Sequence, residues 1–145
     1  MNLSIKTALA WARKTLGQSV PEPGGDAEYL LAFACQRNRV FFYTHPEYEL
    51  SPEHWQLFQE LIERRAQGEP IAYLIGKKEF WSLNFLVAPG VLIPRPETEL
   101  LVEETLLRLP QEKPCRILDI GTGSGAIALA LAHSRPNWHI TAVDI

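Results

Sequence analysis

The chain has 145 residues, 17 acidic against 14 basic, a net charge of −3 and a pI near 5.8, with 46% hydrophobic and 21% charged side chains. Such a composition belongs to a globular chain with a real core, not to a disordered, collagen-like or coiled-coil one, and its slight acidity argues against direct nucleic-acid binding. No apolar run approaches the roughly eighteen residues of a membrane span, Lys6, Arg13 and Lys14 do not precede an apolar block as in a secretory signal, and Cys35 and Cys115 form no Cys-x-x-Cys pair, so a cytoplasmic setting without metal or membrane partner is expected.

From Leu3 to about Gly68 the apolar spacing is helical. Ile5, Ala8, Leu9, Ala12 and Leu16 recur at three and four positions, with Ser4 as N-cap and Gly17 as stop. Pro21 to Gly25 reads as a turn, followed by a helix carrying Ala27, Leu30, Leu31 and Ala34 on one face. Val40 to Tyr43 is a helical turn or buried connector that Pro46 ends. Ser51-Pro52-Glu53 opens a helix with a capping hydroxyl, a proline at the first position and an acid on the positive end of the dipole. Trp55, Phe58, Leu61 and Ile62 form its apolar stripe, and Gly68 before Pro70 closes it.

Beyond Pro70 the period changes. Glu79–Leu83 and Asn84–Ala88 are expected to be two short strands joined at Leu83-Asn84. Pro89-Gly90 turns the chain, Val91 to Ile93 is extended and Pro94-Arg95-Pro96 is rigid. From Glu97 the order becomes helix, strand, helix, strand. Leu100, Leu101, Thr105 and Leu109 sit on a helix ended by Pro110. Arg116–Ile120 is a strand, Ala126–His133 a small-residue helix and Ile140–Asp144 a second strand. This alternation predicts a parallel sheet with crossover helices, and an α/β fold overall.

The chemistry concentrates at Asp119-Ile120-Gly121-Thr122-Gly123-Ser124-Gly125-Ala126. Gly121 permits a sharp turn out of the strand, Gly123 lets backbone approach a ligand, and Gly125 with Ala126 keeps the helix start thin. Free N–H groups at that start face the ligand, and Asp144, at the end of the next strand, suits ribose hydroxyls. Gly121-x-Gly123-x-x-Ala126 also satisfies the looser dinucleotide pattern. Asp119 favours the other choice: its carboxylate repels a pyrophosphate and attracts the sulfonium and amino groups of S-adenosylmethionine, by a few kcal/mol at an effective dielectric near 20.

Phe80-Trp81-Ser82-Leu83, then Val91-Leu92-Ile93-Pro94-Arg95-Pro96-Glu97-Thr98-Glu99, then the loop Asp119 to Gly125 resemble, in this order, the HemK/PrmC family. These are bacterial N5-glutamine methyltransferases that modify the Gly-Gly-Gln loop of peptide-release factors. The likeness covers essentially the whole chain. It implies a helical substrate-recognition bundle over 1–70, a β-hairpin linker over 71–96 and part of a Rossmann-like S-adenosylmethionine-binding domain over 97–145. It implies that Gly121, Thr122, Gly123, Ser124, Gly125 and Asp144 hold the cofactor, that Leu92, Glu97 and Thr98 line the pocket beside it, and that the partners are release factors. Family members run to nearly twice this length and carry an Asn-Pro-Pro-Tyr motif for the substrate amide. That tetrapeptide does not occur in the 145 residues, so no catalytic residue is assigned and the isolated chain is expected to be inactive. Two alternatives stand beside this reading: a helical protein-binding module without cofactor, and a glutamine methyltransferase acting on a ribosomal protein.

Other residues have plainer roles. Pro96 and Glu97 suit a helix start, Phe80 and Trp81 suit packing, and His45, His54, His133 and His139 lack metal-ligand spacing. Arg64-Arg65 and Lys77-Lys78 read as solvated charges, with a partner-binding role as the alternative, and Cys35 and Cys115 as small packing residues.

Overall fold

A computed structural model describes residues 3–145. They form two compact units, one ending at Ile75 and the other running from Gly76 to Ile145.

The first unit is helical. α1 (Ile5–Leu16) is capped where the sequence predicts: Ser4 Oγ accepts the Thr7 N–H, and Gly17, at φ 47°, donates its amide to the Arg13 carbonyl. α2 (Pro23–Cys35) begins inside the segment expected to be a turn. Proline and two glycines are tolerated there because first-turn amides have no intrahelical partner to lose. α3 (Arg39–Thr44) is capped by Asn38 Oδ1, which accepts the Phe41 N–H at 2.9 Å. α4 (Pro52–Ala66) has its Ser51 cap bonded to the His54 N–H, and Phe58, Leu61 and Ile62 are buried along it. α5 (Ile71–Ile75), a helix the sequence reading does not find, packs on α2 and α4 and places residues 71–75 with the helices. The core gathers Ile5, Ala8, Ala12 and Leu16 of α1 with Leu30, Leu31, Phe58 and Ile62. At its edge Trp11 meets Trp55 edge-on at 4.9 Å.

In the second unit β1 (Lys77–Phe80) pairs antiparallel with β2 (Leu83–Leu86), Phe80 opposite Leu83. The connection is Trp81-Ser82, two residues ahead of the expected one. Both residues have positive φ, 52° and 58°, as a two-residue hairpin turn matched to strand twist requires. Tertiary contacts hold Trp81 there: its N–H donates to the Glu99 carboxylate at 2.7 Å and its indole N–H to Ser134 Oγ at 2.9 Å. A 3-10 turn (Pro96–Thr98) leads into α6 (Glu99–Arg108), whose buried residue is Val102 while Leu100 and Leu101 are exposed. β3 (Arg116–Ile120), α7 (Ala126–Ser134) and β4 (His139–Val143) follow, and the strands pair parallel, with Ile117 opposite Ile140 and Ile120 opposite Val143. β4 starts one residue before the expected strand. Ile117 and Ile140 pack with Phe80, Phe85, Val102, Leu131 and Trp138. Leu118, Ile120 and Val143, of opposite parity along the strands, are exposed.

Candidate functional site

The glycine loop lies at the carboxyl end of β3, where open parallel sheets place their ligands. Its amides hold it to the neighbouring strand: Gly121 and Thr122 both donate to the Val143 carbonyl, at 2.8 and 3.1 Å. Gly125 donates to the Thr122 carbonyl at 2.9 Å, closing a turn immediately before α7.

Gly121, Gly123 and Gly125 have φ of 73°, 57° and 79°, a region that penalises any side chain with a Cβ. A Cβ placed on Gly121 or Gly123 would meet nothing among the described residues within 4 Å. The path of the backbone, not crowding by neighbouring residues, therefore demands these two glycines. At Gly125 a Cβ would lie 3.5 Å from Leu129 Cδ1, so the thin helix start expected there corresponds to an actual neighbour.

Two carboxylates meet the loop. Asp119, half-buried on β3, accepts the Thr122 hydroxyl proton at 2.7 Å, which turns it toward the loop. Asp144 accepts the Gly123 N–H with one oxygen and the Ile145 N–H with the other. Those hydrogen bonds, the Gly123 one foremost, hold the exposed Asp144 carboxyl below the usual carboxylate range. So the structure brings Asp119, Gly121, Thr122, Gly123, Ser124, Gly125 and Asp144 into one continuous loop assembly. Thr98 stands elsewhere in the chain, on the 3-10 turn before α6, with its amide donated to the Arg95 carbonyl. Leu92 is largely exposed in the segment before that turn. A separate concavity of about 680 Å³, lined by Arg116, Leu118, His139 and Thr141, opens at the amino end of the strands, away from the loop.

Several polar residues have roles that the sequence reading misses. Glu28 is buried on α2 and receives Arg13 Nη2 at 3.1 Å, Arg39 Nη2 at 2.6 Å and the Tyr43 hydroxyl at 2.8 Å. Burial alone would raise its carboxyl, but hydrogen bonds from Arg39 and Tyr43 and the charges of Arg39 and Arg13 hold it below the usual range. A glutamate within an otherwise apolar helix face is the one signal that marks this cluster. Arg65, expected to be solvated, is instead paired at 2.8 Å with Asp26, both of these side chains largely buried, whereas Arg64 is exposed as expected while forking onto Glu69. Cys35 is buried, which pushes its thiol up to about 11, and no disulfide joins it to Cys115. Among the described residues no group of His, Cys, Asp and Glu is arranged to hold a metal ion, and no helix is long and apolar enough to cross a membrane.

Residues 7–76 match the PrmC N-terminal domain family. The chain is similar over 140 residues to the release factor glutamine methyltransferase of Shewanella oneidensis, at 51% identity, covering 97% of this chain and 49% of that protein. The Coxiella burnetii enzyme of the same name is 48% identical, covering 98% of this chain and 51% of its own length. The Escherichia coli one is 52% identical, covering 92% and 49%. The chain thus spans about half the length of the curated relatives it matches.

Proposed function

Because the chain belongs to the PrmC family, we propose that its glycine loop is part of an S-adenosylmethionine pocket. On this reading the chain supplies the recognition bundle and a portion of the cofactor domain of a methyltransferase acting on the glutamine amide of the Gly-Gly-Gln loop in release factors. The observation that carries it is the loop itself. Left-handed glycines at 121 and 123 leave free the positions that side chains would fill, so backbone is available to a nucleoside.

S-adenosylmethionine, when bound, supplies an electrophilic methyl group on a cationic sulfonium. The residues at the loop suit that charge. Asp119 is anchored toward the loop by Thr122, so its negative charge is fixed without reorganisation. Asp144 keeps one lone pair on each oxygen beyond those used by Gly123 and Ile145, and these accept from two vicinal ribose hydroxyls. Gly121, Thr122, Ser124 and Gly125 form the rest of the cradle, with Thr98, Leu92 and Glu97 as further lining. A dinucleotide is disfavoured on the same ground, since the Asp119 carboxylate at the loop opposes a pyrophosphate.

Glutamine methylation also requires acceptors that orient the amide nitrogen toward the methyl group. The 145 residues contain no Asn-Pro-Pro-Tyr tetrapeptide, and a polypeptide of these residues alone is expected to give no turnover on a release factor. Names of the relatives favour release factors over a ribosomal protein as the substrate class.

Calorimetric titration of the purified chain with S-adenosylmethionine tests the reading. Saturable heat that disappears in Gly123→Val is expected. No heat with the unaltered chain would defeat it and leave the helical unit as a protein-binding module.

A further inference from the structure

We infer that Thr122 is a positioning residue, which acts through Asp119 to let the glycine loop distinguish the methyl donor from its demethylated product. This rests on the reading of the loop as part of an S-adenosylmethionine pocket. The donor and the product, S-adenosylhomocysteine, share their nucleoside and amino-acid ends. They differ at sulfur, by one methyl group and one positive charge. Backbone from Gly121 to Gly125 and the ribose acceptor Asp144 serve parts that both compounds have, so a fixed negative charge is what can separate them.

Asp119 has the surroundings for that task. It shares the strand parity of Ile117, on the packed side of the β3–β4 pair, and is half-buried. Three acids withdrawn from water in the helical unit have cations beside them: Glu28 holds Arg13 and Arg39, Asp26 holds Arg65 and Glu69 holds Arg64. Asp119 makes no salt bridge among the described residues, and its partner is the neutral Thr122 hydroxyl at 2.7 Å. A carboxylate drawn partly out of water beside neutral groups gains most from a cation that a ligand brings.

The loop backbone is held without the Thr122 hydroxyl. The Gly121 and Thr122 amides bond the Val143 carbonyl, the Gly123 amide bonds Asp144 and the Gly125 amide bonds the Thr122 carbonyl. The hydroxyl proton goes to Asp119 Oδ2. It therefore sets the direction of the carboxylate, not the path of the loop, and a charge oriented in advance acts on a cation without reorganisation.

The test is calorimetric titration of the full chain with S-adenosylmethionine and, separately, with S-adenosylhomocysteine, read as the ratio of the two Kd values. Thr122→Val keeps the branched shape and removes the proton donor, and is expected to reduce the preference for the donor about fivefold, the worth of one ordinary hydrogen bond. Thr122→Ser is expected to restore the ratio, and Asp119→Asn to reduce it further than Thr122→Val does. Melting curves of the variants are compared with that of the unaltered chain. Should Thr122→Val melt early, the serine and asparagine variants decide the matter. A ratio unchanged in Asp119→Asn would overturn the inference. So would an equal loss of both affinities, which would set Asp119 against a part the two compounds share. Saturable binding with either of those results defeats the positioning role alone, whereas no binding of either compound to the unaltered chain defeats the cofactor reading and this inference with it.

Discussion

In the helical unit Phe58, Ile62, Leu30 and Leu31 are withdrawn almost completely from water, whereas in the second unit Leu118, Ile120 and Val143 stand exposed along one face of the β3–β4 pair. Among the described residues the helical cluster has sixteen buried members and the other has seven. The difference follows from the elements themselves. Each helix has one apolar stripe to hide, and α1, α2 and α4 hide theirs against one another. A parallel strand is apolar on both faces and needs cover on each, and in this unit only one face is packed. The unit bearing the glycine loop therefore combines local order around the loop with an uncovered sheet face, while the helical unit has closed its own core.

Truncating a core side chain in each unit should break this contrast or sharpen it. Phe58→Ala removes a fully buried ring and is expected to destabilise the helical unit by about 3–5 kcal/mol. Ile120→Ser, at a side chain 76% exposed, is expected to change stability by less than about 0.5 kcal/mol. Denaturant unfolding of the two variants checks both figures. Equal losses would mean that the sheet face is covered in solution.

A second contrast lies in the buried charge, which the helical unit has at Glu28. Glu28→Gln is expected to cost about 1–3 kcal/mol near neutral pH, because charge-assisted bonds from Arg13, Arg39 and Tyr43 are weakened. The pH dependence has a definite sign. The folded carboxyl is held below its unfolded value, so its contribution is fully present above about pH 4.3 and is lost as pH falls through the depressed folded value. Thermal melts followed by circular dichroism should show a steeper acid loss in the unaltered chain than in Glu28→Gln. Parallel acid profiles would remove Glu28 from that role.

A modest effect of the opposite sign is expected at the hairpin. Ser82, exposed at φ 58°, occupies a conformation that glycine adopts without strain. Ser82→Gly should stabilise the second unit by up to about 1 kcal/mol, read from the unfolding midpoint. A loss of stability would show that the Ser82 side chain contributes more than its backbone strain costs.

Much of this architecture is legible along the chain because its determinants are local. Ser4, Asn38 and Ser51 cap helices through bonds to residues three positions on, and Gly17 ends one by its own φ. β3 is read with its observed bounds, and the glycines of the loop occupy the left-handed conformations that their residue type suggests. The hairpin turn escapes such a reading. Trp81-Ser82 has none of the residue types that favour positive φ, and its position is set by Glu99 and Ser134, distant in sequence. The Glu28 cluster escapes it too, since its partners come from two other helices, Arg13 from α1 and Arg39 and Tyr43 from α3.

Sequence alone thus determined what depends on a residue and its near neighbours: caps, stops, apolar periodicity and the glycine loop with an acid on either side. Tertiary structure decided which charges are buried, where the hairpin turns and which sheet face is covered. Those outcomes depend on free energies summed over residues far apart in the chain, and no local pattern encodes them.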